Sequence, residues 1–425
     1  MDAELRAAIM RSVDEGFDAQ IAYTRQLVGF ASQRGEEFAI QDFLYEDYAA
    51  RGLRMDRFDM DEAALAAHEG GAPFSADHSR APIVVGIHHP RDEKGRSLIL
   101  QHHVDVVPTG PRDMWEHDPY GGEVVGDRMY GRGAGDMKAG AAANVFALEA
   151  LRRIGLQPAA TVYLQSVVEE ESTGNGALQT FLRGYTADAV LIPEPEENML
   201  VRANVGVLWF EVEVRGIPVH VREMGEGANA IDAAYRVIGA LREVEARWNA
   251  EKVQHRGFED MDHPINMNIG LIRGGDWGSS VPAWCRFQTR VSIYPGQKAQ
   301  EKLAEIERHI AAFARHDPFL AQNPPRITLN GFNSEGYHLE PGSEAEAVLA
   351  TAHKTAFGEP LQSFTTPGYL DARVYALYNR IPALCYGPVS RNIHGFDEWV
   401  SLQSLRWITQ AMALFIAEWC GTEAV

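Results

Sequence analysis

Cysteine is scarce in this chain of 425 residues: only Cys285, Cys385 and Cys420 occur, widely spaced and with no Cys-x-x-Cys pair. An odd, dispersed set implies no disulfide framework, and none of the three has the sequence context of a nucleophile. Basic charge is short as well. Lysine and arginine number 39 against 59 aspartates and glutamates, a formal charge of −20, and no basic cluster makes a local exception. Such a surface repels phosphate backbones and anionic lipid, so neither nucleic acid nor membrane is an expected partner. Long apolar runs are missing too, since none approaches the ~18 uncharged residues that span a bilayer. The opening Met1-Asp2-Ala3-Glu4-Leu5 is acidic and carries no basic end or apolar stretch of the kind that marks a secretion signal. The expectation is a cytoplasmic protein.

What is present is the composition of an ordinary folded protein, 45% hydrophobic and 23% charged. At roughly 100–200 residues per domain the length allows two or three domains. Ile21, Leu27, Val28 and Phe30, then Phe38, Ile40, Phe43 and Leu44, have the spacing of two amphipathic surface helices. Apolar runs at 83–87, 98–100, 161–164 and 190–192 read as buried strands, with an alanine-rich helix over 139–151 between the second and third. Strands alternating with helices imply an α/β domain with a mixed, mostly parallel sheet. From about 206 the pattern changes to strict alternation over 208–214, which suits a half-exposed antiparallel strand. A helix over 230–248, strands near 265–272 and 285–294, a helix over 297–314 and a strand at 326–329 follow. That order is the split βαβ layout of a ferredoxin-like α+β layer. The α/β pattern returns from 334, with a strand at 383–386, so the smaller domain, 205–333, is inserted between the two parts of the larger one, 1–204 and 334–425.

Five segments with unusual chemistry fall where a strand gives way to a loop, the place where open α/β sheets build ligand sites. After the strand at 98–100, His103 and Asp105 lie two apart and share a side while extended. A histidine ligand usually donates its second ring N–H to a carboxylate, and Asp105 is placed for that. The run Tyr130-Gly131-Arg132-Gly133-Ala134-Gly135-Asp136-Met137-Lys138 is a glycine-rich turn, but it lacks the Gly-Lys-Ser ending of a phosphate loop. Its glycines instead let the backbone turn and aim Asp136 into a cleft. Glu169-Glu170-Glu171 follows the strand at 161–164, and three adjacent carboxylates repel one another unless cations or protons intervene. Glu194 stands between Pro193 and Pro195, and His394 follows the last strand. Singly, each has a bland reading as a structural histidine or a solvated acidic loop. Together they offer the nitrogen and oxygen ligands of zinc, manganese or cobalt, and a pair of such ions sharing a carboxylate suits hydrolysis.

In this order, His103-Val104-Asp105, Gly131-Arg132-Gly133 through Asp136-Met137-Lys138, Glu170-Glu171, Glu194-Pro195 and His394 resemble the cocatalytic-metal aminoacylase and carboxypeptidase family. That family includes acetylornithine deacetylase, succinyl-diaminopimelate desuccinylase, aminoacylase and the glutamate-releasing carboxypeptidase. The similarity covers nearly the whole chain, and Arg215-Gly216-Ile217-Pro218-Val219-His220 with 270–282 look like the family's lid. The resemblance implies one or two divalent ions, one held by His103, Asp136 and Glu194, the other by His394, Asp136 and Glu171, with Asp136 as the bridge. It implies that Glu170 is the general base on the metal-bound water, that Asp105 orients His103, and that the lid's His220 stabilises the oxyanion in the other subunit of a homodimer. Hydrolysis of an amide C–N bond in a small carboxylate-bearing substrate, an N-acyl amino acid or dipeptide-like compound, is the activity implied.

Two departures bear on the substrate. The glycine usual before the metal histidine is His102 here, which adds bulk and a further candidate ligand. The arginine usual three residues before Pro295 is Ser292, which leaves Arg290, on the same strand face, and Arg373 as candidates for an anionic substrate group. An alternative keeps the metal but displaces an amine from an electron-poor aromatic carbon, a deaminase. A non-catalytic binding protein is a remoter one, disfavoured because both Glu170 and Asp136 are present. Trp115, Tyr120 and Trp209 read as packing residues, and His88, His89, His255 and His263 as exposed.

Overall fold

Apolar runs bounded by turn residues become a six-stranded mixed sheet in the computed structural model, which describes residues 1–425. The strand order is Arg54–Phe58, Ile83–His88, Val162–Val167, Leu98–His103, Ala189–Ile192 and Ala383–Cys385. The first two junctions are antiparallel and the other three parallel. Ile83–His88, Leu98–His103 and Ala189–Ile192 are buried throughout, which is why they show continuous apolar runs rather than alternation. The helices Ala3–Val28, Ala139–Arg153 and Leu402–Trp419 pack against one another beside this sheet. Ala139–Arg153 is buried on nearly every side, and its alanines let its neighbours come close.

Because Val162–Val167, Leu98–His103, Ala189–Ile192 and Ala383–Cys385 run parallel, their carboxyl ends share one edge of the sheet. His103 ends the strand Leu98–His103, and the segments that leave the other ends carry Glu170, Glu171, Glu194 and His394. Parallel pairing, and not proximity in sequence, therefore gathers the site.

Residues 206–334 build a second sheet, antiparallel throughout, in the order Met267–Gly274, Trp284–Ile293, Gly206–Arg215 and Arg326–Ser334. Leu208, Phe210, Val212 and Val214 point into a separate core that includes Val237 and Leu241 of the helix Ala230–Ala250 and Ile306 and Ile310 of the helix Ala299–His316. The alternate residues face the other way. Trp209 pairs with Arg290, and Arg290 with Asn268, so these three form one row across the open face.

His88 is buried, not exposed, because its strand runs one residue further than 83–87 and its Nε2 meets the Pro158 carbonyl at 2.8 Å. His255 is half-buried, stacked on Tyr294 with centroids 3.7 Å apart. His89 and His263 are exposed and Trp115 is buried. No helix is long and apolar enough to cross a membrane.

Candidate active site

At the carboxyl edge of the larger sheet, ligand atoms of His103, Asp136 and Glu171 all lie within 4.8 Å of one another. His103 Nε2 is 3.1 Å from Asp136 Oδ1, 3.8 Å from Glu194 Oε1 and 3.9 Å from Glu170 Oε2. His394 Nε2 is 3.4 Å from Asp136 Oδ2 and 3.0 Å from Glu171 Oε2. Asp136 thus lies between the two imidazoles, with one oxygen toward each. Its position depends on Gly133, which has φ 78° and where a Cβ would come within 2.5 Å of Val106. Glu169 and His394 are non-glycine residues at φ 68° and 62°, a backbone conformation that clusters in functional loops.

The electrostatics are those of a site short of positive charge. Burial opposes a charged His103, but Glu194, Asp105, Asp136 and Glu170 outweigh it and hold the ring well above the usual histidine range. Glu171 above all, with Asp136, lifts His394 to about 11 against burial. Burial, then the neighbouring carboxylates, raises Glu170 and Glu194 well above the usual range. Protons gather where a divalent cation would replace them. Glu194 Oε1 is also buried with no hydrogen-bond partner, an orphan that a cation would satisfy. Two imidazoles and several carboxylates fit a borderline divalent ion.

Other candidates sit elsewhere. His102 is fully buried on the opposite side of the pleat from His103, between Tyr48 Oη and Asn144 Nδ2, each 3.3 Å away. Burial, then the charge of His103, pushes it down to about 3. It is a neutral core residue and not an extra ligand. Asp105 steadies His103 through its backbone, whose carbonyl lies 2.9 Å from Nδ1, while its carboxylate is 3.6 Å away. That carboxylate instead accepts the backbone N–H groups of Glu170 at 3.3 Å and Glu171 at 3.0 Å, fixing the acidic loop. Arg373 does not line the cavity between the two sheets: it is fully buried and donates to the Gly70 carbonyl and the Tyr369 and Tyr378 hydroxyls. His220 is exposed on the smaller unit, its Nδ1 accepting from the Arg222 N–H.

Between the two sheets lies a cavity of about 760 Å³ lined by Asp136, Glu170, Glu171, Glu194 and His394 on one side and by Trp209, Asn268, Gln288 and Arg290 on the other. Arg290 Nη1 donates to Ser292 Oγ at 2.9 Å and meets no carboxylate, and burial lowers its pKa to about 10. Trp209, read from sequence as packing, is half-buried and lines this cavity.

Residues 99–418 match peptidase family M20/M25/M40. The chain belongs to that family. The N-formyl-4-amino-5-aminomethyl-2-methylpyrimidine deformylase of Bacillus subtilis is 30% identical over 350 residues, covering 76% of this chain and 80% of the relative. The succinyl-diaminopimelate desuccinylase of Dinoroseobacter shibae is 28% identical over 327 residues, 74% of this chain and 81% of the relative. The crystal structure of human carnosine dipeptidase 1 shares the fold, with a TM-score of 0.77 at 16% identity over 98% of this chain and 99% of that one. Membership makes this M20 chain a metal-dependent hydrolase of amide bonds.

Two supports of the M20 site escaped sequence reasoning. Glu398, almost fully buried, accepts Arg132 Nη1 at 2.7 Å and the N–H groups of Gly135 and Asp136 at 3.0 and 3.1 Å, clamping the turn that carries Asp136. Glu169 is not one of three equivalent acids: it turns away to Arg34 at 2.6 and 2.8 Å and to the Ser79 N–H at 2.7 Å. An acid beside two other acids hides this role, because its basic partner is 135 residues away.

Proposed function

We propose that this protein hydrolyses the amide bond of a small substrate bearing a carboxylate, an N-acyl amino acid or dipeptide-like compound. The observation that carries this is the unpaired Arg290 guanidinium facing the histidine–carboxylate cluster across one cavity. His103, Asp136 and Glu194 would hold one divalent ion, and His394, Asp136 and Glu171 a second, with zinc, manganese or cobalt suited to the set. When bound, the metal supplies polarisation of the amide carbonyl and a lowered pKa for the attacking water. Glu170 takes a proton from that water and delivers it to the leaving amine. Arg290 anchors the carboxylate by charge-assisted hydrogen bonds.

The unit 205–333, inserted between 1–204 and 334–425, acts as a ferredoxin-like lid and dimerisation domain. Its edge strand Met267–Gly274 is unpaired on one side and exposes Leu271 and Ile272, with Trp277 nearby. Such an apolar open edge supports a homodimer, in which His220 would complete the site of the other subunit and stabilise the oxyanion. A cytoplasmic setting accords with three free, buried thiols.

Elemental analysis of the purified protein, followed by turnover of N-acyl amino acids with and without chelator, tests the reading. About two divalent ions per chain with chelator-sensitive acid release are expected. Release of ammonia from amino-substituted aromatic acids, with no acyl transfer to water, would overturn it.

A further inference from the structure

The wall of the cavity beside Arg290 is aromatic, and its construction is specific. Trp209 and Phe332 lie nearly parallel, centroids 6.1 Å apart at 21°, and Phe332 meets Tyr369 at 4.4 Å and 45°. All three line the cavity, although they come from two strands of the smaller sheet and from the loop that leads to Asp371.

The backbone is shaped to hold them. Leu208 pairs with Asn333, but Phe210 pairs with Leu329, so residues 330–332 bulge opposite Trp209. Bulges beside active sites re-aim side chains. Gly331 sits in this bulge, where a Cβ would come within 3.0 Å of the Trp209 ring. The Tyr369 hydroxyl is tied at the other end of the row, accepting from Arg373 Nε at 3.2 Å and donating to Asp371 Oδ1 at 3.0 Å. The buried Arg373 therefore positions a wall residue. Trp209 is also the cross-strand neighbour of Arg290, so a group resting on its ring lies beside the carboxylate anchor.

We propose that Trp209, Phe332 and Tyr369 select substrates in which the carboxylate-bearing half carries a planar aromatic ring. The inference rests on the amide-hydrolase reading with Arg290 as the anchor. A flat ring offers offset or edge contacts to such a wall that a branched aliphatic chain of similar size cannot match.

The test compares kcat/KM for N-acetyl-L-phenylalanine, N-acetyl-L-leucine and N-benzoylglycine, the last with its ring on the acyl half. About tenfold preference for the phenylalanine compound is expected. Trp209→Leu should remove that preference by slowing the aromatic substrate alone, and Trp209→Phe should retain most of it. Calorimetric binding of 3-phenylpropionate against 4-methylpentanoate gives a readout without turnover, with about tenfold tighter binding of the ring compound expected in the wild type and parity in Trp209→Leu. Equal kcat/KM for the phenylalanine and leucine compounds, a preference for N-benzoylglycine, or an equal loss on both substrates in Trp209→Leu would overturn the wall. Absence of hydrolysis across the panel by metal-replete enzyme would overturn the N-acyl amino acid reading instead, and the binding comparison would then decide the wall alone.

Discussion

Replacing Arg290 by methionine separates function from stability at one position. The guanidinium is held in the cavity by one hydrogen bond, to Ser292, with no carboxylate near it. A hydrogen bond between charged groups contributes about 1.5–3 kcal/mol, so its loss should lower kcat/KM about tenfold to a hundredfold on a substrate that carries the carboxylate. The same substrate capped as a carboxamide should be a poor substrate of the wild type and should lose little further in the variant. Stability should move the other way. Burial lowers Arg290 from 12.5 to about 10, which sets a ceiling of about 3 kcal/mol on the cost of keeping it charged near neutral pH. Contact with cavity water reduces that cost, and losing the bond to Ser292 takes back about 1 kcal/mol, leaving the variant more stable by roughly 1 kcal/mol. An apparent melting temperature one or two degrees higher, about what that increment gives in a chain of this size, is expected by calorimetry. Equal loss on the acid and the carboxamide, or a melting temperature several degrees lower, would refute the anchor and make Arg290 a structural residue. A functional charge held at the expense of stability is the trade-off enzymes commonly show.

Glu170→Gln should retain the metal content of the wild type yet lose at least about 100-fold in kcat, the lower end for general acid–base catalysis, as measured by elemental analysis and turnover of one preparation. Arg132→Met leaves Glu398 buried without its cation and should destabilise by about 3–5 kcal/mol, read in denaturant melts, with weakened metal retention because the Asp136 turn loosens. Glu37 is fully buried and lifted to about 7, by burial first and Asp105 second, against the Ser79 hydroxyl. Its raised pKa makes the folded state the better proton binder between about 4.5 and 7, so stability falls as pH rises through that window. Glu37→Gln should remove up to about 3 kcal/mol of that decline, and a constant gap between variant and wild type from pH 5 to pH 8 would exclude Glu37 as the group responsible. Ile272→Glu, on the open edge strand, should elute as a monomer in size-exclusion chromatography if the lid edge forms the homodimer, and unchanged elution would place the interface elsewhere.

Most of the proposed ligand set can be read in the sequence because His103, Glu171, Glu194 and His394 lie at or beyond the ends of apolar strands that pair in parallel, while Asp136 is marked instead by the glycine-rich turn after Arg128–Tyr130. Neighbours on an extended strand face opposite sides of the pleat, so periodicity alone puts His102 on the face away from His103, where it meets Tyr48 and Asn144. Arg290 and Arg373 illustrate the opposite case. Both are arginines near plausible turns, and nothing local distinguishes an arginine aimed into a cavity from one whose donors are consumed by a carbonyl and two tyrosines. What separates them is register: the pairing of Trp209 with Arg290 puts one on an open sheet face, whereas the helical turn at Ala372–Val374 sinks the other. Trp209 packs against Phe332 as its sequence suggests, but that it also lines a cavity is not written locally, because alternation tells which residues share a face but not whether that face meets helices or a cavity. The faces of the smaller sheet are told apart only by where its two helices fall, and that is settled by long-range packing. The metal-binding chemistry proposed for this site is therefore written in short motifs, while the selectivity proposed for it depends on the docking of one sheet over the edge of another.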